Sequence, residues 1–289
     1  MPTNTRAFRH VPITIGALLI GGIGYATSVT EPAFQINGQQ IPPKTDTSQV
    51  QNKATPIVPT VALPLEPITG ITFANESGVT YVVARSLAEK LGLEIELDAK
   101  EKVLTIGDKK FEGFRRLYAG DVLFAVRDIA KFEGTIIPSL IEGTVSVETN
   151  GLQFDVVVGK KRVEVDKAAQ ELTGFQGDVV VIKTNVSTGM PGHNTPVGEF
   201  KTGPKERMHY SRKYNNAEMP YAVQVNGDIF FHGAGSVPYY PASHGCIRIP
   251  LGRKNPAKYL YNWVDRGVDV KISGKYEWVS RRSKKRRSG

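Results

Sequence analysis

The run Tyr221-Ala222-Val223-Gln224-Val225-Asn226-Gly227-Asp228-Ile229-Phe230-Phe231-His232 constrains this chain more than any other segment. Two alternating, apolar-rich runs are separated by Asn-Gly. That dipeptide is preferred in two-residue hairpin turns because both central residues need positive φ. The segment predicts an antiparallel hairpin turning at Asn226-Gly227, with His232 at the far end of its second strand. Strand signals recur around it. Arg162–Asp166 alternates, Val179–Ile182 reads as a strand buried on both faces, and Val268–Ile272 reads as a closing strand. One helix is expected, capped by Asn255 with Pro256 in its first turn and ended by Gly267, with Tyr259, Leu260, Trp263 and Val264 on its apolar face. Residues 160–274 are therefore expected to form a mainly β domain.

Upstream, residues 70–150 contain a weak internal repeat offset by 42 positions. Tyr81–Gly92 aligns with Leu123–Gly134, and each copy reads as a short strand followed by a helix closed by glycine. Leu93–Leu97 and Lys102–Ile106 follow as strands in the first copy, and Thr144–Glu148 matches the latter in the second. A small α+β repeat domain is the expectation. This stretch resembles the N-terminal domain of copper amine oxidases, a module that also recurs in bacterial cell-wall proteins. Copper binding does not follow, because 70–150 holds no His, Cys or Met, and copper sites need imidazole or soft sulfur ligands. The segment reads as a spacer or a module that binds a wall polymer.

The N-terminus argues for export. Arg6, Arg9 and His10 precede an apolar run from Val11 to Val29, and no acidic residue occurs before Glu31. Such a run is long enough to span a bilayer, and its basic flank would stay inside, placing the rest of the chain outside. Residues 1–30 thus read as a signal anchor, with a cleaved signal peptide as the alternative, given the small residues Ala26 and Ser28. Residues 31–69 carry seven prolines among Gln, Thr and Asn, the composition of an extended linker. The chain of 289 residues has a formal charge of +9, but eight of those charges sit in two clusters. Arg6 and Arg9 form one. Arg281, Arg282, Lys284, Lys285, Arg286 and Arg287 form the other, in a basic tail at 280–289. The body is left close to neutral, so no basic surface supports nucleic-acid binding. Anionic wall polymers or lipid headgroups are the partners such an exported tail would meet.

One cysteine excludes an internal disulfide. It lies in the densest polar region: His232-Gly233, a short loop, then Ser243-His244-Gly245-Cys246-Ile247-Arg248. A thiol nucleophile needs a base, since free cysteine titrates near ~8.5 and is mostly protonated at neutral pH. An imidazole can take that proton and later return it to a leaving amine, provided its other nitrogen is held by a partner. A developing oxyanion needs N–H donors, which the backbone at Gly245 and Cys246 is expected to supply. Two blander readings compete. Cys246 as an inert core thiol fits poorly with its polar neighbours. A zinc site of His232, His244 and Cys246 lacks a fourth ligand, with His193 and His209 reading as loop residues. No metal or other cofactor is expected.

This region resembles the L,D-transpeptidase family. Beside the Ser243–Arg248 string and His232-Gly233, the likeness includes Val186-Ser187-Thr188-Gly189 and Thr195-Pro196-Val197-Gly198. The resemblance implies a mainly β catalytic domain in which Cys246 is acylated by a peptidoglycan stem peptide. It implies His232 as the base, oriented by the carbonyl of Gly233, with His244 as a structural or substrate-shaping neighbour. Arg248 either binds a stem-peptide carboxylate or braces the loop, Ser243 reads as a hydrogen-bonding brace, and Tyr240 as part of the substrate mouth. An L,D-carboxypeptidase, with water as acceptor, would use the same residues. A catalytically silent wall-binding protein is the alternative from another class.

Overall fold

The computed structural model describes residues 65–278. The N-terminal apolar run, most of the proline-rich linker and the basic tail lie outside these residues. Among the described residues no helix is long and apolar enough to cross a membrane.

The chain opens with β1 (Leu65–Phe73), β2 (Glu76–Val83), α1 (Ala84–Leu91), β3 (Ile95–Asp98), β4 (Val103–Ile106) and β5 (Lys109–Glu112). It continues through β6 (Arg115–Arg116), β7 (Val122–Ala125), a 3-10 helix (Val126–Phe132), β8 (Thr135–Pro138), β9 (Thr144–Thr149) and β10 (Leu152–Val158). The second half holds β11 (Lys161–Asp166), β12 (Glu171–Gln176), β13 (Val179–Asn185), β14 (Gly198–Lys201) and β15 (Lys205–Ser211). Last come β16 (Ala217–Asn226), β17 (Ile229–Ala234), β18 (Ile247–Pro250), α2 (Pro256–Trp263) and β19 (Asp269–Ser273).

Four sheets result, in the orders β6-β7-β2-β1-β10-β9-β8, β13-β12-β11-β19-β14, β15-β16-β17-β18 and β3-β4-β5. The second half is mainly β, as its alternation implies. β11 buries every other residue, and Val181 and Ile182, neighbours that point to opposite sides, are both fully buried.

Residues 70–150 depart from the expected α+β repeat. They are mainly strand, and the helix expected in the second copy is a seven-residue 3-10 segment ending on Glu133 in the left-handed conformation. They bury a core of their own, every member of which lies between Ile68 and Val156, but they also contribute to a second one. The sequence neighbours Tyr81 and Val82, like Leu123 and Phe124, point to opposite faces of their strands. Val82 and Phe124 join a cluster with Leu87, Phe132 and Phe154. Tyr81 and Leu123 instead join Ile71 and Phe73 in the cluster around Trp263. These strands are buried on both faces, which a free-standing two-layer unit would not need. A polar link fixes the join: the Trp263 indole N–H donates to Gln176 Oε1 (3.1 Å), and Gln176 Nε2 donates to Thr72 Oγ1 (3.1 Å).

Two local expectations shift. Asn226 pairs with Ile229, so the hairpin loop is Gly227-Asp228, one residue later than expected; Gly227 alone of these has positive φ (52°). Val225 is the extra residue in the β16 register there. Helix α2 starts where its cap dictates, with Asn255 Oδ1 accepting from the Lys258 N–H, but it ends at Trp263 rather than running to Gly267. Trp263 is fully buried, and the chain turns extended at Val264.

Candidate active site

β17 pairs in parallel with β18, placing His232 opposite Arg248 and Phe231 opposite Ile247. Cys246 is the residue before β18. His232, Cys246 and Arg248 line one cleft of about 810 Å³, together with Ser243, His244 and Phe230. Its other wall is the β15–β16 hairpin, including His209, Tyr214 and Met219.

His232 is 8% exposed, and its Nδ1 lies 3.0 Å from the Gly233 carbonyl oxygen. A carbonyl only accepts, so Nδ1 carries the hydrogen and Nε2 keeps its lone pair. Burial lowers the imidazole pKa from 6.5 to about 4; the Gly233 bond opposes that shift, while the Arg248 and His209 charges add to it. Cys246 is half-buried, with Sγ 3.4 Å from the Asp228 carbonyl oxygen. Burial pushes its thiol upward, against the backbone of Phe230 and the charge of Arg248. At neutral pH both groups are therefore uncharged, a thiol and a free imidazole lining the same cleft.

The His232 shift has a stability consequence. Above pH 6.5 the ring is neutral folded and unfolded, so it contributes no pH dependence. Between 6.5 and 4 the unfolded chain takes up a proton that the native state refuses, and stability falls with pH. The shift corresponds to about 3 kcal/mol lost by pH 4. Urea unfolding from pH 7.5 to 4.5 should show this slope, and His232→Gln should remove it.

Three segments hold the Cys246 loop. Ser243, 1% exposed, accepts from the Gly245 N–H (3.1 Å) and donates to the Cys246 carbonyl (2.5 Å). The N–H groups of Ala242 and Ser243 donate to the Thr188 carbonyl (2.9 and 3.0 Å). Ser187 and Arg248 exchange both backbone bonds at 3.0 Å. Gln170, itself 1% exposed, supports Thr188 by accepting its N–H (2.8 Å). Thr195, fully buried, accepts from the Gly189 N–H (2.8 Å) and donates to the Gly245 carbonyl (2.7 Å). The two upstream motifs, Val186–Gly189 and Thr195–Gly198, thus meet behind the cysteine loop.

Two glycines are dictated by this packing. Gly245 has φ of 120°, outside the range of ordinary side chains. A Cβ on Gly189 would sit 1.8 Å from the His193 carbonyl oxygen. Gly189→Ala is expected to destabilise the protein by about 3 kcal/mol, because backbone blocks the added methyl. Thermal melting checks this directly.

Other expected site residues fall differently. Gly245 N–H is occupied by Ser243 Oγ and so is not a free oxyanion donor; the short Ser243-His244-Gly245 turn brings the hydroxyl onto it. Tyr240 does not line the cleft. Its ring stands 6.1 Å from Trp278, and only its carbonyl serves the loop, accepting from Ser187 Oγ (2.7 Å). His209 is on β15 rather than in a loop, stacked on Phe230 at 4.7 Å. His244 is exposed, with its ring stacked on Tyr214 at 4.5 Å and edge-on to His193 at 4.9 Å. Tyr214 and Met219 were not singled out from sequence; only their place in the segment before the hairpin strand pointed to them. Among the described residues no group of three or more His, Cys, Asp and Glu side chains is placed to hold a metal ion.

Residues 160–272 match the family model of the YkuD L,D-transpeptidase catalytic domain. No curated protein is similar enough to the chain to count as a match. Among solved structures, an L,D-transpeptidase (Yku) from Stackebrandtia nassauensis is similar at 31% identity, over 40% of this chain and 57% of its own, with a TM-score of 0.38. The chain thus spans little more than half the length of that relative. An L,D-transpeptidase from Mycobacterium smegmatis is similar at 19% identity, over 72% of this chain and 100% of its own, with a TM-score of 0.37. One from Xylanimonas cellulosilytica is similar at 28% identity, over 40% and 61%, with a TM-score of 0.36. The match to the L,D-transpeptidase catalytic-domain model spans residues 160–272, and Cys246 and His232 both lie within it.

Proposed function

We propose that this chain is an exported peptidoglycan L,D-transpeptidase with Cys246 as nucleophile and His232 as general base. The observation that carries the reading is the pairing of the two in one cleft, with His232 Nδ1 held by Gly233 so that Nε2 is the basic nitrogen. Nε2 takes the thiol proton as Sγ attacks the carbonyl carbon after the third, L-configured residue of a donor stem. The tetrahedral oxyanion collapses, the C–N bond breaks, and the proton passes from Nε2 to the departing amine. An amine of a neighbouring stem then attacks the thioester, giving its proton to Nε2. The new amide forms and Cys246 leaves as the thiol.

Arg248, lining the cleft with no carboxylate partner among the described ion pairs, is the group that would take a stem carboxylate. His244 shapes the mouth from its stack on Tyr214, and Ser243 braces the loop. Residues 70–150 are a spacer or wall-polymer module built onto the catalytic core. The N-terminal run would place the enzyme outside the membrane, and the basic tail would hold it near anionic wall polymers or lipid headgroups.

The test is to incubate purified protein with a carbapenem and measure its intact mass, then to supply defined tetrapeptide stems. A covalent adduct and cross-linked products are expected. Shortened stems without cross-links would make it an L,D-carboxypeptidase, and no adduct or product would leave it a wall-binding protein.

A further inference from the structure

From the hydrogen bonds behind the cleft we infer that Thr195 is a positioning residue that aims the backbone N–H of Cys246 at the oxyanion; the inference rests on the transpeptidase reading. The Gly245 carbonyl and the Cys246 N–H belong to one peptide unit. No peptide bond among the described residues is cis, so the two groups point in opposite directions across that plane. Whatever holds the carbonyl therefore sets the direction of the N–H.

The Thr195 hydroxyl holds it, at 2.7 Å and fully buried. A hydroxyl has a single proton to give, and here its direction is fixed. The Gly189 N–H donates to Oγ1 at 2.8 Å, so Oγ1 is the acceptor there and its proton goes to Gly245. The rest of Thr195 is anchored by Lys167 Nζ, which donates to its carbonyl (2.5 Å). Gly189 reaches this close only because it lacks a side chain. Thr195 is not among the residues lining the cleft, whereas Cys246 is. It thus grips the peptide from behind, and the N–H opposite faces the substrate side.

The demand on this N–H is raised by Ser243, which has already taken the N–H of Gly245. The cysteine loop keeps one of its two expected donors for the oxyanion. A single donor that is misaimed costs more than one of several, because no neighbour compensates.

Thr195→Ala removes the grip, with Thr195→Ser restoring it and Thr195→Val as the second hydroxyl-free variant should alanine lower the melting temperature below the assay range. Two reactions of the same sulfur are compared. Acylation by a carbapenem builds an oxyanion; alkylation by iodoacetamide is a displacement at carbon and builds none. The acylation rate constant should fall about 10- to 100-fold, short of the ~10²–10³ for losing a donor outright. The apparent binding constant and the alkylation rate should stay within about two-fold, and Thr195→Ser should acylate nearly as wild type does. Unchanged acylation in both hydroxyl-free variants, or acylation and alkylation falling together, would overturn the assignment. Absence of acylation in the wild-type protein would instead sink the transpeptidase reading itself, a result separable from either.

Discussion

Cys246→Ala is expected to give a protein that folds normally, forms no carbapenem adduct by mass, and makes no cross-linked product from stem peptides. The loss should be complete because nothing else can substitute. Cys246 is the chain's only thiol, and the neighbouring Ser243 hydroxyl is committed in both directions, to Gly245 and to the Cys246 carbonyl. The fold should survive for an equally local reason. The side chain is half-buried, and its hydrogen bond to the Asp228 carbonyl, at 3.4 Å, comes from a weak S–H donor. Truncation should cost no more than about 1 kcal/mol, and the melting temperature should confirm it. Product formation by Cys246→Ala at the wild-type rate would dismiss the cysteine mechanism.

What the sequence made legible follows from how local each signal is. The hairpin, the α2 cap at Asn255 and the alternation of β11 are set by residues near one another in the chain, and each is present in the structure. The hairpin loop moved by one residue because Val225 is accommodated as an extra residue in β16, a choice that depends on cross-strand register. The cleft was legible through Ser243–Arg248 and His232-Gly233, where chemistry and chain proximity coincide. What stayed hidden was the wiring behind it. Thr195 stood out only as part of the Thr195–Gly198 motif, since its contact with Gly245 spans 50 residues and no periodicity announces it. Residues 70–150 misled for the opposite reason. Their pattern suggested a helix and strands in each copy, but alternate faces of β2 and β7 are covered by the Trp263 core, which no local pattern names. Tyr240 was placed at the mouth by its position in the loop, and its ring turns instead towards Trp278.

His232→Ala should slow acylation by about 10²–10⁴-fold, the usual loss for a general base, and the pH profiles should identify why. In the wild-type cleft burial holds the imidazole near 4, so Nε2 is free to accept a proton at any pH well above that. The acylation rate should be level from neutral pH down to about 5 and fall as pH drops through about 4, where the base becomes protonated. His232→Ala has no such group to protonate, so its acidic limb should disappear. Its thiol must instead ionise unaided, and burial has raised that thiol's pKa. The variant's rate should therefore climb steadily with pH into the alkaline range, narrowing the gap to wild type as the thiolate accumulates. The contrast also separates base from scaffold. Loss of a merely structural His232 would lower the rate by one factor at every pH and leave the profile's shape unchanged. Parallel profiles for the two proteins would remove His232 from the role of base, whatever the size of the drop.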